Sequence, residues 1–418
     1  MKVAFLVNDL QLSGGVGVVV AHARQLHDHH GFDVTLVLAR EQEDPDWQHE
    51  PLPGLAVRSL DEARRDHYDI AISTWWETTL VLFELRAERY ASFVQSLEDR
   101  FYRTGDPSRL GGRLVLDLPV SFVTEARWIA DTLRDLRPEA PCYLVRNGID
   151  KSVFDSPERI APRVDGPLRI LVEGYASVWF KGVNEAVAAV RLMDEPHHLT
   201  VVTPDREGLD ADGAHRVVGP LSQRALATLY AESDVLVKLS RVEGMYGPPL
   251  EAFHMGATCV TTAVTGHEEY IEHGVNALIC DWDDPRGTAR TLDLLARDRV
   301  LLHQLRLGAL DTARAWPDWE QAGQFMAGAL RAIRRAPAPE TAPALARLMA
   351  DVRGAIEEQR NVVAERDQLA WKVYRYERLQ QLPGVRHALA LRQRRSGRAL
   401  LVLVRPITRR AKRKLLSG

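Results

Sequence analysis

Apolar positions in the first third of the chain come in short continuous runs, set apart by stretches with helical three–four spacing. Val3–Val7, Val34–Leu38, Asp69–Ser73, Ser92–Gln95, Val120–Val123 and Tyr143–Arg146 read as strands, and Val18–His27 and Ala126–Leu136 as helices. Ser13-Gly14-Gly15-Val16-Gly17 is a glycine-rich turn between the first strand and the first helix. Runs that are apolar throughout belong to strands covered on both faces, and strands separated by helices predict a parallel sheet.

After Asn147-Gly148-Ile149-Asp150 the pattern restarts. Leu168–Glu173, Leu199–Thr203, Arg216–Val218, Val235–Lys238, Cys259–Thr262 and Ala277–Cys280 read as strands. Helices are expected at Gly182–Leu192, Ser222–Glu232, Pro249–His254 and Glu268–His273. Two successive runs of this kind predict an α/β protein with two Rossmann-like, doubly wound domains, spanning 1–155 and 156–334. Pro157, Pro162 and Pro167 punctuate the boundary. A Pro/Ala linker at 335–346 follows, then a helix over 347–382 and a basic amphipathic tail over 383–418. Beyond the first linker residues, Leu345, Leu348, Val352, Ala355, Val362, Leu369, Val373 and Tyr376 follow a three–four spacing, a seam that Gln359 and Arg366 interrupt. That seam leaves two readings open, a coiled coil that pairs two copies as a homodimer and a single helix packed on the body.

Charge adds an asymmetry that the element pattern does not contain. Residues 384–418 hold eleven Lys or Arg and no Asp or Glu, so a chain of net charge −3 carries −14 on its other 383 residues. A basic tail on an acidic body points to an anionic surface as the tail's partner. No recognition fold or aromatic platform accompanies it, so membrane lipid is expected rather than nucleic acid. Cys142, Cys259 and Cys280 are odd in number and lack metal-ligand spacing, which fits a reduced compartment. Met1–Val7 is expected to be a strand rather than a leader, because the run is short and Asn8-Asp9 ends it. No run approaches the roughly 20 apolar residues needed to span a bilayer. The expected location is cytoplasmic, with peripheral attachment to the inner face of the membrane.

Chemistry concentrates between Glu232 and Ile279. A strand leads into Ser240-Arg241-Val242-Glu243-Gly244, and a helix opens at Pro248-Pro249, where proline suits the first turn. Free amides on such a loop, together with a helix N-terminus, suit an anion such as a diphosphate. Glu243 and Glu251 flank that site as hydrogen-bond acceptors for sugar and ribose hydroxyls. The stretch Glu243-Gly244-Met245-Tyr246-Gly247-Pro248-Pro249-Leu250-Glu251-Ala252 resembles the signature of the retaining nucleotide-sugar glycosyltransferases of family 4, which adopt the GT-B fold. Asn147-Gly148-Ile149-Asp150, Lys181-Gly182 and Gly14-Gly15 match further motifs of that family, and the likeness covers about residues 1–330. Residues 71–103, with Trp75-Trp76-Glu77 and Ser92-Phe93-Val94-Gln95-Ser96-Leu97-Glu98, resemble a bacterial subgroup that includes rhamnosyltransferases of surface polysaccharides.

The resemblance implies a transferase that moves a sugar from a nucleotide-sugar donor to a glycan acceptor, itself lipid-linked, with retention of configuration. Under it, the two domains face each other across a cleft, the first on the acceptor side. Glu243 contacts the donor sugar, Glu251 holds the ribose hydroxyls and Lys181 the diphosphate. The amides of Gly244, Met245 and Tyr246 bind sugar hydroxyls beside Gly247, and Glu269 supports the loop. Gly14 and Gly15 form either a donor-phosphate loop or a plain strand-to-helix turn. Trp75, Trp76 and Glu77 line the acceptor side, the two tryptophans either stacking on a sugar or filling the groove. Tyr175 stands where the family carries an arginine, and Tyr246 replaces a glycine. Either Lys181 then acts with a second cation such as Arg241, or donor binding is weak. No cofactor or metal is expected: Asp210-Ala211-Asp212 and Asp281-Trp282-Asp283 resemble metal-binding pairs but sit in polar turns outside the site, and His254 reads as a packed histidine. Two rivals stay open, a GT-B sugar-nucleotide epimerase and a non-catalytic sugar-nucleotide-binding scaffold.

Overall fold

The structure, a computed structural model, describes residues 1–11, 13–40, 53–336 and 342–380. The chain divides into two compact units, Met1–Arg353 and Gly354–Gly418. The first unit holds two parallel sheets. The first sheet consists of β1 (Lys2–Val7), β2 (Asp33–Leu38), β3 (Ala56–Ser59), β4 (His67–Ser73), β5 (Arg86–Val94), β6 (Ser121–Thr124) and β7 (Cys142–Leu144). Its order is β3-β2-β1-β4-β5-β6-β7. The second consists of β8 (Leu168–Glu173), β9 (His197–Val202), β10 (Arg216–Val218), β11 (Val235–Lys238), β12 (Thr258–Thr262) and β13 (Ala277–Cys280), in the order β10-β9-β8-β11-β12-β13.

Helices connect the strands. They are α1 (Gly14–His30), α2 (Leu60–Ala63), α3 (Trp76–Thr79), α4 (Pro107–Leu114), α5 (Arg127–Leu136), α6 (Val183–Val190), α7 (Gln223–Glu232) and α8 (Gly247–His254). Three more, α9 (Pro285–Arg297), α10 (Arg299–Ala315) and α11 (Trp319–Arg335), precede α12 (Ala342–Gln380). Strand order reverses between β1 and β4 and between β8 and β11. Crevices open at the carboxyl ends of strands at such points, which is where doubly wound sheets bind ligands. The residues there are Asn8 and Thr74–Glu77 in one domain, and Glu173–Gly174 and Lys238 in the other.

The apolar runs became buried strands for the expected reason: Val3, Phe5, Ile70, Ile72, Leu171 and Leu236 are all fully covered. Several local expectations need correction. Ser13–Gly17 is not a free turn but the first turn of α1; the Ser13 hydroxyl caps it by accepting from the Val16 amide at 3.3 Å. The helix expected at Glu268–His273 is a single tight turn, His267–Glu269, entered through Gly266 at φ 93°. Strand β3 carries no apolar run because its residues are mostly exposed at the sheet edge.

The second domain does not run unbroken to residue 334. The chain crosses back, and α11 packs on the first sheet, where Met326, Ala327, Leu330 and Ile333 share a core with Val3, Phe5, Val19 and Leu26. Amphipathic spacing says that α11 has an apolar face but not which sheet receives it. The two crossings meet side by side: the Ile149 amide donates to the Pro317 carbonyl at 3.2 Å, and Trp316 Nε1 donates to the Asn147 carbonyl at 3.0 Å. A Cβ on Gly148 would fall 2.4 Å from the Asp318 backbone, so the crossing admits no side chain there. Helix α12 starts at Ala342, inside the segment read as a linker. On it Val362, Leu369, Val373 and Tyr376 are exposed. The basic tail lies outside the described residues. Among those described, no helix is long and apolar enough to cross a membrane.

Candidate active site

The second sheet builds its half of the site at the ends of β8 and β11. Gly174 leaves β8 at φ 151°, and the chain turns through Phe180 to Lys181. Gly182 follows at φ 65° and starts α6; its missing Cβ would sit 2.1 Å from the Leu239 carbonyl oxygen. Only glycine fits that approach, which sets Lys181 against the loop after β11. Lys181 Nζ donates to both carboxylate oxygens of Glu243, each at 3.0 Å. Glu243 is 8% exposed, so its carboxylate meets the Lys181 ammonium largely away from solvent.

Beneath this pair lies a second one. Lys238, the last residue of β11, is 3% exposed and donates to the Glu173 carboxylate at 2.9 Å and the Glu173 carbonyl at 3.1 Å. Burial opposes its charge, but Glu173 and then Glu243 outweigh that and hold the ammonium above its usual range. Glu251, on α8, neighbours the same group. Burial first, then the Glu173 charge, push its carboxyl up to about 8, against the pull of Tyr230 and Lys238. Thus three carboxyl groups and two ammonium groups share the end of one sheet.

The first sheet meets this loop directly. A Cβ on Gly244 would lie 1.7 Å from the Gln95 carbonyl oxygen, and the Gln95 side chain lies 3.4 Å from the Cβ position of Gly15. Gln95 therefore joins the glycine start of α1 to the glycine loop of the other domain. Trp128 Nε1 donates to the Gly244 carbonyl at 2.9 Å, and the Met245 amide to Glu125 at 3.1 Å. Glu269 accepts from the Arg127 amide and pairs with Arg146 at 3.5 Å, fastening the far side of the loop. An aromatic stack also spans the cleft: Trp75 on Phe101, with ring centres 5.7 Å apart, and Phe101 on Phe180 at 5.0 Å, next to Lys181.

Comparisons with known proteins bear on the fold that carries this geometry. Residues 168–298 match the family model described as glycosyl transferases group 1. The chain is 27% identical over 208 residues to a glycogen synthase of Mycobacterium tuberculosis, covering 47% of this chain and 50% of that protein. It thus spans about half the length of the curated relative it matches. Sucrose-phosphate synthase of Thermosynechococcus elongatus superposes with TM-score 0.66 at 17% identity, over 79% of this chain and 98% of that one. Alr3699/HepE of Anabaena, in complex with UDP-glucose, superposes with TM-score 0.64 at 15% identity, over 79% and 100%. The fold is GT-B.

Within the GT-B cleft the expected residues do not all converge. Lys181, Glu243, Gly244 and Glu251 gather at the mouth of the second sheet, with Gly15 opposite. Gly14 and Gly247, the latter at the start of α8, face open space: outside their own helix turns nothing lies within 4 Å of their Cβ positions. Arg241 is engaged elsewhere: its guanidinium pairs with Asp283 and lies 6.0 Å over the Trp282 ring. Tyr246 is wholly buried, its hydroxyl donating to the Lys238 carbonyl at 2.8 Å and its own carbonyl accepting from the Tyr270 hydroxyl, so its side chain is not offered to a ligand. The Met245 amide is already spent on Glu125.

On the other side, Trp76 is 2% exposed and cannot offer a ring face to a sugar. Its amide donates to Glu98 at 2.6 Å and its indole to the Tyr102 hydroxyl at 2.9 Å. Glu77 pairs with Arg40 and accepts from Asn8 at 3.2 Å. Asp210 and Asp212 pair with Arg191, at 2.7 and 3.6 Å.

Sequence reasoning missed Lys238, Glu173, Glu125 and Glu98. A lysine closing the otherwise apolar run Val235–Val237 was the available signal for Lys238. Glu125 reads as an ordinary acid just ahead of an amphipathic helix, with nothing to mark it as buried.

Proposed function

We propose that the protein is a retaining glycosyltransferase that takes a nucleotide-sugar donor between its two domains and delivers the sugar to a glycan acceptor carried on lipid, in the assembly of cell-surface polysaccharide. The observation that carries this reading is the contact of Gly244 with Gln95. It puts the Lys181–Glu243 pair of one sheet beside the α1 glycine start of the other, within a GT-B cleft. The match of residues 168–298 to glycosyl transferases group 1 supports the reaction class. The Anabaena structure holding UDP-glucose supports a nucleotide-sugar donor.

In this reading the donor diphosphate displaces Glu243 from Lys181 and takes the ammonium as its counter-charge, assisted by the start of α8. Glu243, released, accepts from the sugar hydroxyls, and Glu251 accepts from the ribose. The acceptor hydroxyl attacks the anomeric carbon on the face the diphosphate leaves. The carbon–oxygen bond to phosphate breaks, and the departing phosphate oxygen takes the hydroxyl proton. Lys238 supplies the second positive charge that Tyr175 does not. Cations and amides then balance the phosphate without a metal, so transfer survives exhaustive chelation with EDTA. The exposed heptad positions of α12 pair two copies, and the basic tail docks on anionic lipid at the inner face of the membrane.

The test is a donor panel of UDP-, GDP- and dTDP-sugars offered to the full chain, with thermal shift as the first readout and mass analysis of products with and without acceptor as the second. A stabilising donor that is consumed only with acceptor, with the anomer retained, supports the proposal. Donor consumed equally without acceptor, or no stabilisation by any member, overturns it.

A further inference from the structure

A buried line of hydrogen bonds runs from α1 through the interdomain crossing to the glycine loop. His22 Nε2 lies 3.4 Å from Asn147 Oδ1, Asn147 Nδ2 donates to Glu125 Oε2 at 2.6 Å, and the Met245 amide donates to Glu125 Oε1 at 3.1 Å. The Asn147 orientation follows from its bond to Glu125, so its oxygen faces His22 and the histidine nitrogen donates. His22, Asn147 and Glu125 are all nearly inaccessible. Glu125 Oε1 also lies 3.3 Å from the Cβ position of Gly244, so the carboxylate lies beside Gly244 as well as bonding to Met245.

Both oxygens of Glu125 face N–H donors, and among the described residues no lysine or arginine bonds to it. An acceptor facing two donors is built for the ionised form, because a carboxyl hydrogen would point at another hydrogen. We propose that Glu125 is the positioning residue of the 243–247 loop, and that its negative charge fixes the Met245 amide and so the placing of Glu243. This rests on the reading that the loop holds the donor.

The surroundings make that charge conditional. Burial pushes the Glu125 carboxyl up to about 7; the Asn147 and Met245 donors pull it down and the Glu243 charge adds to the rise. The other charged groups facing this region are paired: Lys181 with Glu243, whose charge still reaches Glu125, and Arg146 with Glu269, which also takes the Arg127 amide. Burial holds His22 down at about 4, so it is neutral. On protonation of Glu125, Asn147 can turn its oxygen toward the new hydroxyl. The Met245 amide then keeps only a neutral carbonyl acceptor, weaker than a charged one. The loop is accordingly held tightly above neutrality and loosely below it.

The test is hydrogen exchange resolved to the Met245 amide in the full chain without ligand, across about pH 6 to 8.5. Rates are corrected for intrinsic exchange and referred to the Val237 amide in β11. Protection of Met245 should rise roughly tenfold from the acid to the alkaline end, the ratio expected between a neutral and a charged acceptor. Glu125→Gln, which mimics the protonated form, should show the low protection throughout. Equal protection of wild-type Met245 at both ends, or a wild-type ratio in the variant, overturns the proposal. The wild-type ratio decides alone if the variant does not fold. UDP, GDP and dTDP added in turn at the alkaline end test the underlying reading separately. Gain of loop protection supports a donor site there; no gain with any of them removes the donor and leaves the ligand-free ratio to judge Glu125.

Discussion

Lys181 and Glu243 hold each other at two points, 3.0 Å from the ammonium to each carboxylate oxygen. The two residues that the proposed reaction needs for separate tasks are thus each other's counter-ion before the donor arrives. Glu243→Gln should lower turnover on the order of 100-fold, the scale of one lost transition-state contact. Nucleoside diphosphate should bind as well as before or more tightly, because Lys181 no longer has a carboxylate to leave. Steady-state rates and calorimetry on the same variant check both halves; near-normal turnover would remove Glu243 from the reaction.

Gly244→Ala addresses the contact between domains. The new methyl would land on the Gln95 carbonyl, which is backbone and cannot rotate away. We expect a stability loss of about 1–3 kcal/mol, typical of overpacking, and loss of most activity. Denaturant unfolding together with small-angle scattering checks this; an unaltered scattering profile with full activity would contradict it.

Glu251 gives stability a pH dependence of definite sign. Its folded carboxyl titrates near 8, whereas an unfolded glutamate releases its proton near 4.3. Between those values the folded chain holds a proton that the unfolded chain has lost, so stability falls as pH rises, by at most about 1.4 kcal/mol per pH unit from this group. Glu251→Gln removes that contribution, and its advantage over wild type in urea midpoint should grow from pH 5 to pH 8.5. A constant difference across that range would show that Glu251 is ionised throughout.

Helix α12 presents Val362, Leu369 and Tyr376 to solvent at seven-residue intervals. Pairing with a second copy would bury that row. Sedimentation velocity should show a dimer that Leu369→Asp converts to monomer; a monomeric wild-type chain refutes the pairing.

The basic tail is tested by flotation with anionic liposomes, comparing the full chain with one ending at Leu382. Eleven cations without an acid, each worth on the order of 1 kcal/mol near acidic lipid, should float only the full chain, and only at low salt. Equal flotation of the two, or binding to neutral liposomes that survives high salt, would exclude it.

Much of this architecture was legible in the chain itself. Continuous apolar runs between amphipathic stretches specify parallel strands, because only strands covered on both faces tolerate them. The strand, the glycine-containing loop with Glu243 and the proline-opened helix start with Glu251 marked a candidate anion site for the same local reason. Local pattern also misled. Trp75 and Trp76 are neighbours in sequence, yet one stacks at the cleft and the other is buried on Glu98 and Tyr102. Arg241 sat beside Glu243 in sequence, but Asp283, forty-two residues later, took its charge.

The sequence by itself determined the two sheets, the loop between β11 and α8, and the charge asymmetry of the tail, since each depends on residues within one or two turns of one another. Only the tertiary structure decided that α11 returns to the first sheet. It alone placed Lys238 under the Lys181–Glu243 pair, and put Glu125 on Met245 across 120 residues of chain. The physical reason is that an apolar face or a buried charge states what it must be covered by, but not which distant segment covers it.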